Sequence, residues 1–403
     1  MICGLLGKKL GHSYSPQIHA ALGNYEYRLF EKQPEELEDF LKYGEFDGLN
    51  VTMPYKQTVM PYLDSISPSA KNTGTVNVIY RRDGKLHGHN TDCDGFASMV
   101  SKCGFDPKDQ KVLVLGSGGA SKNAALILRN MGANVVIVSR SGENNYTNLD
   151  LHADATIIVN TTPVGMYPNN GDSPVDLSLF PKLQWVLDVV YNPSRTQIML
   201  DAESRGIRTM NGLWMLVEQA RAASECFQAK DIPADLSEKI YRTLKSQMEN
   251  IVLIGMPGCG KSTVGKALAE KLGRKFVDAD AVIAETAGMS IPDIFANEGE
   301  AGFRNRETKV LSELGKQSSL VIATGGGCVT KEENYSLLHQ NARIFWLKRN
   351  ISELPTDGRP LSQNGNLEQM YRVRRPLYES FADVVIANET VAQTVQQIME
   401  AIK

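Results

Sequence analysis

The stretch NIVLIGMPGCGKSTVGKALAEKLG, residues 250–273, opens a new unit deep in a chain of 403 residues. An apolar run, NIVLI, leads into GMPGCGKST, and a segment of helical character follows. GMPGCGKST fits G-x-x-x-x-G-K-[ST], and a strand before it with a helix after it is the context that gives the pattern physical meaning. Gly255, Gly258 and Gly260 let the backbone bend so that its N–H groups point inward at phosphate oxygens, at the positive end of the following helix. In such a loop Gly258, Cys259, Gly260 and Thr263 form the cradle. Lys261 would reach the β and γ phosphates and Ser262 would ligate Mg2+. The loop alone says only that a nucleotide is bound.

The rest of the chain is what a soluble multi-unit protein requires. Its length exceeds what one hydrophobic core usually organises. Hydrophobic residues make up 42% and charged residues 22%, both ordinary for globular proteins. A net charge of -3 offers no global basic field, and no local basic patch stands out, so neither nucleic acid nor an anionic membrane is an expected partner. The six cysteines show no C-x-x-C spacing, which favours free thiols over a disulfide framework or a zinc site. No run approaches the about 20 apolar residues needed to span a bilayer, and the start is too weakly apolar for a signal peptide, so a cytoplasmic location is expected. Oligomeric state is not legible.

Short Val- and Ile-rich runs recur: KVLVLG, NVVIVS, TIIVN, WVLDVV, NIVLIG and SLVIAT. Helical-looking segments such as SKNAALILRNMG separate several of them, and this alternation predicts parallel α/β architecture. The seam falls in RTLKSQMENIVLIG, where Leu236, Ile240 and Leu244 suggest a helical face that ends before a strand begins at Asn250. The expected domains are residues 1–247 and 248–403.

Beyond the phosphate loop come VDADAVI with Asp278 and Asp280, GEAGFRNRE with Arg304 and Glu307, ATGGG, DGRPL with Arg359 and RRPLY with Arg374. Singly, each arginine would pass for a solvated surface charge. Together, from residue 250 to the end, they resemble shikimate kinase, a P-loop α/β domain with a parallel sheet. The resemblance implies that Arg304, Arg374 and the backbone at Gly326 hold the shikimate carboxylate and ring. Guanidinium forks suit a carboxylate, since two parallel donors meet two oxygens. It also implies that Asp280 binds ring hydroxyls and orients the attacking oxygen as base, and that Asp278 supports Mg2+ largely through water. Arg359, in a short lid segment with few other basic residues, would close over the ATP phosphates.

Toward the front, KVLVLGSGGASKNAALILRNMGANVVIVSR runs strand, glycine turn, helix, strand. GSGGA alone would suit a structural turn as well as a dinucleotide. The second strand ends in VSRS, without the Asp or Glu that takes a ribose 2'-hydroxyl; Ser139 and Arg140 offer a donor and a positive charge to a 2'-phosphate, which favours NADP over NAD. Polar clusters also occur that a core does not need: GHSYSPQIH, GLNVTMPYK, TVNV, GHNTDCDG, NTTPVGM, DVVYNP and NGLWMLVEQA. Here residues 1–247 resemble shikimate dehydrogenase from end to end.

That resemblance implies an α/β substrate subdomain (about 1–95 and 211–247) and a Rossmann-like NADP subdomain (about 96–210). Lys56 would be the acid-base group and Asp92 its partner, facing the substrate carbonyl; without the motifs the two would pass for an ordinary salt bridge. Ser13 and Ser15 would hold the carboxylate, and Thr52, Asn77, Tyr191 and Gln219 the ring or its hydroxyls. Gly116, Gly118, Gly119 and Ala120 would take the pyrophosphate, while Val189 and Gly212 approach the nicotinamide.

Two departures are visible. The family reads G-A-V-N-T where this chain has GTVNV, with Thr75 and Val78. Only about 20 residues separate Arg140 from Asn160, where a dinucleotide half usually fits a further helix and strand, so a trimmed cofactor subdomain is expected. His12, His19, His87 and His89 lack paired ligand spacing and read as loop and strand residues. The two resemblances together imply reduction of 3-dehydroshikimate with NADPH followed by phosphorylation of shikimate with ATP. The alternatives are a ligand-sensing regulator that has lost catalysis, and quinate specificity in the front domain.

Overall fold

The computed structural model describes residues 1–11, 13–354 and 367–402; Arg359 and His12 lie outside the described residues. The chain divides into two compact units. One holds Met1–Val164, Ser173–Tyr191 and Asp201–Thr243; the other holds Gly165–Asp172, Asn192–Leu200 and the chain from Leu244 onward. The helix Ala234–Met248 carries Leu236, Ile240 and Leu244 and ends just before the strand at Asn250. Among the described residues no helix is long and apolar enough to cross a membrane.

The first unit contains two sheets. The strands β1 (Ile2–Gly7), β2 (Glu26–Glu31), β3 (Gly48–Val51), β4 (Ser65–Ile66), β5 (Val78–Arg82) and β6 (Lys85–His89) form one of order β2-β1-β3-β5-β6-β4. This sheet is mixed, because β5 runs antiparallel to both β3 and β6. The parallel expectation fails here for a local reason. Asp83 and Gly84 take φ of 51° and 73°, and two consecutive positive φ values make the tight two-residue hairpin that reverses the chain.

The second sheet is wholly parallel, in order β11-β10-β9-β7-β8: β7 (Lys111–Leu115), β8 (Asn134–Val138), β9 (Ile157–Asn160), β10 (Trp185–Asp188) and β11 (Arg208–Met210). The sequence runs KVLVLG, NVVIVS, TIIVN and WVLDVV all lie in these strands. The chain leaves β7 toward β8 and returns on the other side as β9, so the order reverses at β7 and opens a crevice at its C-terminal end. Between β8 and β9 only a single-turn helix, Leu149–His152, intervenes, which is the expected trimming. The helices Thr91–Cys103 and Leu213–Gln228 cross closely at Gly95. A Cβ there would lie 2.6 Å from the Met215 carbonyl oxygen and 3.0 Å from Gln219 Cβ.

The second unit has one parallel sheet, β13-β14-β12-β15-β16, built from β12 (Asn250–Ile254), β13 (Lys275–Asp278), β14 (Leu320–Ala323), β15 (Ala342–Lys348) and β16 (Val384–Ala387). β12 is buried along its whole length, as a strand covered on both faces must be. Its neighbours β14 and β15 lie on opposite sides, so the order switches at β12, where the phosphate loop emerges.

The helical stretch Ile291–Lys316, broken by a kink at Gly299 (φ 67°), lies so close to the helix Glu333–His339 that a Cβ on Gly315 would sit 1.9 Å from the Leu337 carbonyl oxygen. Backbone cannot yield as a side chain can. Gly315→Ala is therefore expected to cost about 1–3 kcal/mol and to lower the thermal midpoint of the full chain by circular dichroism; an unchanged midpoint would contradict this packing.

Candidate active sites

In the first unit the short helix Tyr55–Thr58, which follows β3, and the N-terminus of the helix Thr91–Cys103 bring Lys56 and Asp92 together. Lys56 Nζ donates to Asp92 Oδ2 at 2.5 Å. Asn77 Nδ2 donates to the other carboxylate oxygen at 2.9 Å, and Asn77 Oδ1 accepts the Thr91 N–H at 2.7 Å. The Asp92 carboxylate is thus held from two sides while its pair stays partly open to solvent, with 28% and 17% of the two side chains exposed. Asn90 caps the same helix, its Oδ1 accepting the Asp92 N–H at 3.2 Å.

Ser13, Ser15, Thr52, Tyr191 and Gln219 are all partly buried. Ser13 Oγ accepts the Ser15 N–H at 3.2 Å, and the Tyr191 ring meets Tyr14 edge-on at 6.3 Å. Gln219 is brought beside the Asp92 helix by the close crossing at Gly95. Val189 and Gly212 touch: a Cβ on Gly212 would lie 2.1 Å from the Val189 carbonyl oxygen, so only glycine fits.

The glycine turn lies between β7 and the helix Gly119–Asn130. Gly116 has φ of 118°, and a Cβ there would meet Thr161 Oγ1 at 2.8 Å, so glycine is required. A Cβ on Gly118 would meet no atom within 4 Å, and Ala120 lies in the first turn of the helix, whose unpaired backbone N–H groups suit an anion. Arg140 is exposed at the end of β8. Ser139 is buried instead, with its Oγ 2.7 Å from where a Cβ on Gly142 would lie.

In the second unit a cleft of about 780 Å³ lies at the C-terminal ends of the strands, lined by the phosphate loop, Asp278, Asp280, Arg304, Gly325 to Gly327 and Arg374 among others. Gly258 and Gly260 take φ of 82° and 95°, the left-handed values the loop needs. Cys259 is fully buried and its carbonyl accepts Asn388 Nδ2, while Thr263 is exposed on the cleft wall. Lys261 Nζ donates to the carbonyls of Gly255 at 2.8 Å and Met256 at 3.0 Å. Ser262 Oγ donates to Asp278 Oδ2 at 2.6 Å. These two oxygens form a hard donor pair that suits Mg2+, an ion that keeps several waters and substrate phosphates in its shell. Among the described residues no group of three or more His, Cys, Asp or Glu converges to hold a metal by itself.

Deeper in the cleft, Arg304 Nη1 donates to Glu307 Oε2 at 2.6 Å, and Arg374 Nη1 donates to the Gly326 carbonyl at 3.2 Å, which also accepts the Tyr378 hydroxyl. Burial raises Asp280 above the usual carboxylate range, with Asp278 adding to the effect and Lys261 and Arg304 opposing it. Burial likewise raises Glu307 against the pull of Arg304. Asp280 Oδ1, Glu307 Oε1 and Arg304 Nε are buried and have no hydrogen-bond partner within the protein, and the first two both lie close to Gly325.

Sequence reasoning gives Glu307 and Tyr378 no role. Their signals are the spacings to Arg304 and Arg374, three and four residues, which place each pair on one helix face. The histidine reading needs one correction. His19 lies in the helix Ser15–Leu22, fully buried and stacked on Tyr27, and burial lowers its pKa to about 3.

Residues 257–403 match the family model for shikimate kinase, and residues 5–79 match that for the shikimate dehydrogenase substrate binding domain. A shikimate dehydrogenase (NADP(+)) of Clostridium beijerinckii is 35% identical over 266 residues, covering 61% of this chain and 98% of the relative. The chain belongs to the shikimate dehydrogenase family. A shikimate kinase domain follows at its C-terminus. The crystal structure of a chorismate mutase/shikimate 5-dehydrogenase fusion protein from Clostridium acetobutylicum superposes with a TM-score of 0.58 at 36% identity, covering 60% of this chain and 97% of that one. A shikimate 5-dehydrogenase from Thermus thermophilus, in complex with NADP(H) and shikimate, gives 0.56 at 30% identity, with 60% and 99% covered.

Within the shikimate dehydrogenase unit, the departure at Thr75 is absorbed by a buried polar network. Asn90 Nδ2 lies 2.8 Å from Thr73 Oγ1, 3.0 Å from Thr75 Oγ1 and 3.0 Å from Asn123 Oδ1. Asn77 keeps its hold on Asp92 despite the altered neighbours.

In the kinase domain the raised pKa of Asp280 has a sign that can be checked. A carboxyl raised on folding favours the protonated form, so its contribution to stability is full below the ordinary carboxylate pKa and is lost as pH rises through the raised value. Asp280→Asn should raise the thermal midpoint at neutral pH, and the difference from the unchanged chain should shrink on acidification. A destabilised Asp280→Asn at neutral pH would contradict the burial argument.

Proposed function

We propose that this chain catalyses two consecutive reactions on one ring: reduction of 3-dehydroshikimate to shikimate, then phosphorylation of shikimate at its 3-hydroxyl. The carrying observation is the Lys56–Asp92 pair at 2.5 Å, braced by Asn77 and standing in the same unit as the Gly116–Ala120 turn. The boundaries proposed are 1–247 for the reductase, with its substrate part at about 1–95 and 211–247 and its NADP part at about 96–210, and 248–403 for the kinase.

NADPH when bound supplies hydride, and ATP with Mg2+ supplies the phosphoryl group. Lys56 delivers a proton to the carbonyl oxygen as that oxygen gains charge, and Asp92 orients the ammonium and hydrogen-bonds the resulting hydroxyl. Ser13 and Ser15 hold the carboxylate through neutral donors, while Thr52, Asn77, Tyr191 and Gln219 fix the ring so that its carbonyl meets Lys56. Gly116, Gly118, Gly119 and Ala120 take the pyrophosphate, Ser139 and Arg140 the 2'-phosphate, and Val189 and Gly212 the nicotinamide face. Because Arg140 is the exposed member of the 2'-phosphate pair, it carries most of that selectivity.

In the kinase, Asp280 accepts the proton of the attacking hydroxyl. Its raised pKa suits the role, since a base poised nearer neutrality accepts a proton more readily in the transition state. Arg304, held by Glu307, and Arg374 grip the carboxylate beside Gly326. Lys261 exchanges the loop carbonyls for phosphate oxygens, Gly258 to Thr263 cradle those phosphates, Ser262 and Asp278 serve the metal, and Arg359 is assigned to the phosphates from the lid.

One coupled assay tests the reading. With 3-dehydroshikimate and NADPH, absorbance falls; on adding ATP, ADP appears. Lys56→Ala should reduce the first signal by a factor of about 100 to 10,000 and leave phosphorylation of supplied shikimate intact. Lys261→Ala should do the converse. Loss of both signals in either variant would refute two independently assembled sites.

A further inference from the structure

The kinase cleft has a charge asymmetry that the assignments above leave unused. Asp278 and Asp280, with Gly325 to Gly327, stand at the ends of β13 and β14, on one side of β12. Arg304 and Arg374 are committed to that side through Glu307 and the Gly326 carbonyl. On the other side of β12 lies β15, and the residue immediately after it is Arg349, which lines the same cleft as Gly258, Lys261 and Thr263. The end of β15 abuts the base of the phosphate loop, since a Cβ on Gly255 would lie 2.6 Å from the Leu347 carbonyl oxygen. Among the described residues lining the cleft, Arg349 is the cation on the β15 side.

Its present partner is weak. Arg349 Nε lies 3.3 Å from Glu353 Oε2, and the two side chains are 33% and 55% exposed. A pair this open to water contributes little, so the guanidinium can be drawn away by a stronger anion. Multiply charged phosphate oxygens meet a planar fork of donors better than one solvated carboxylate does.

We propose that Arg349 is a nucleotide-binding residue of the kinase, exchanging Glu353 for phosphate oxygens of the nucleoside triphosphate held by the loop Gly258–Thr263. The inference rests on the kinase reading and adds to it a residue that lines the same cleft as Lys261, on the β15 side of the sheet.

The test is ADP release by the full chain at saturating shikimate. Arg349→Ala should raise KM for ATP about 10- to 100-fold, the loss expected for a charge-assisted hydrogen bond, with KM for shikimate and the reductase activity unchanged. Arg349→Lys should recover part of the affinity, and Glu353→Gln should leave KM for ATP at or below that of the unchanged chain. An unshifted KM for ATP in Arg349→Ala, or an equal rise in KM for shikimate, overturns the inference alone. Absence of ADP release from the unchanged chain overturns the kinase reading and this inference with it.

Discussion

Both sites depend on one constraint: backbone N–H groups at the start of a helix have no partner within that helix, and a parallel strand followed by a glycine turn aims them at an anion. In one unit the turn is Gly116 to Ala120 after β7, and in the other it is Gly255 to Lys261 after β12. In each, glycine is needed for a specific reason. Gly116, with φ of 118°, would otherwise strike Thr161, and Gly260, with φ of 95°, holds the left-handed turn that launches the helix. The sheets do the rest, because the order of strands reverses at β7 and at β12 and leaves an open crevice above each.

The two units hold their charged groups differently. In the first unit Lys56 and Asp92 form a partly open pair braced by the uncharged amide of Asn77. The kinase buries two carboxyls, Asp280 and Glu307, both raised by desolvation, beside Arg304. Burying these groups costs stability, and Asp280 Oδ1, Glu307 Oε1 and Arg304 Nε are left without hydrogen-bond partners within the protein.

Much of this was legible beforehand because parallel strands buried on both faces read as unbroken Val and Ile runs, and both glycine turns follow such runs. The first sheet was less legible. Its antiparallel turn depends on Asp83 and Gly84, a two-residue signal easily passed over within VIYRRDGKLHGH. Glu307 and Tyr378 escaped because their importance comes from burial beside Arg304 and Gly326, which linear spacing hints at but cannot establish. Ser139 and Arg140 look alike in the sequence, and burial separates them: Ser139 is buried beside Gly142 while Arg140 is exposed. Arg359 lies outside the described residues, so its role rests on the family resemblance.

The central claim is that one chain carries two separate nucleotide cradles, each serving its own pocket for the same small acid. Calorimetric titration of the intact chain with NADPH, then with ATP and Mg2+ in the continued presence of NADPH, addresses it most directly. The account predicts one equivalent of each bound per chain, with the second titration undiminished by the first. Displacement of NADPH by ATP, or saturation at one nucleotide in total, would contradict it.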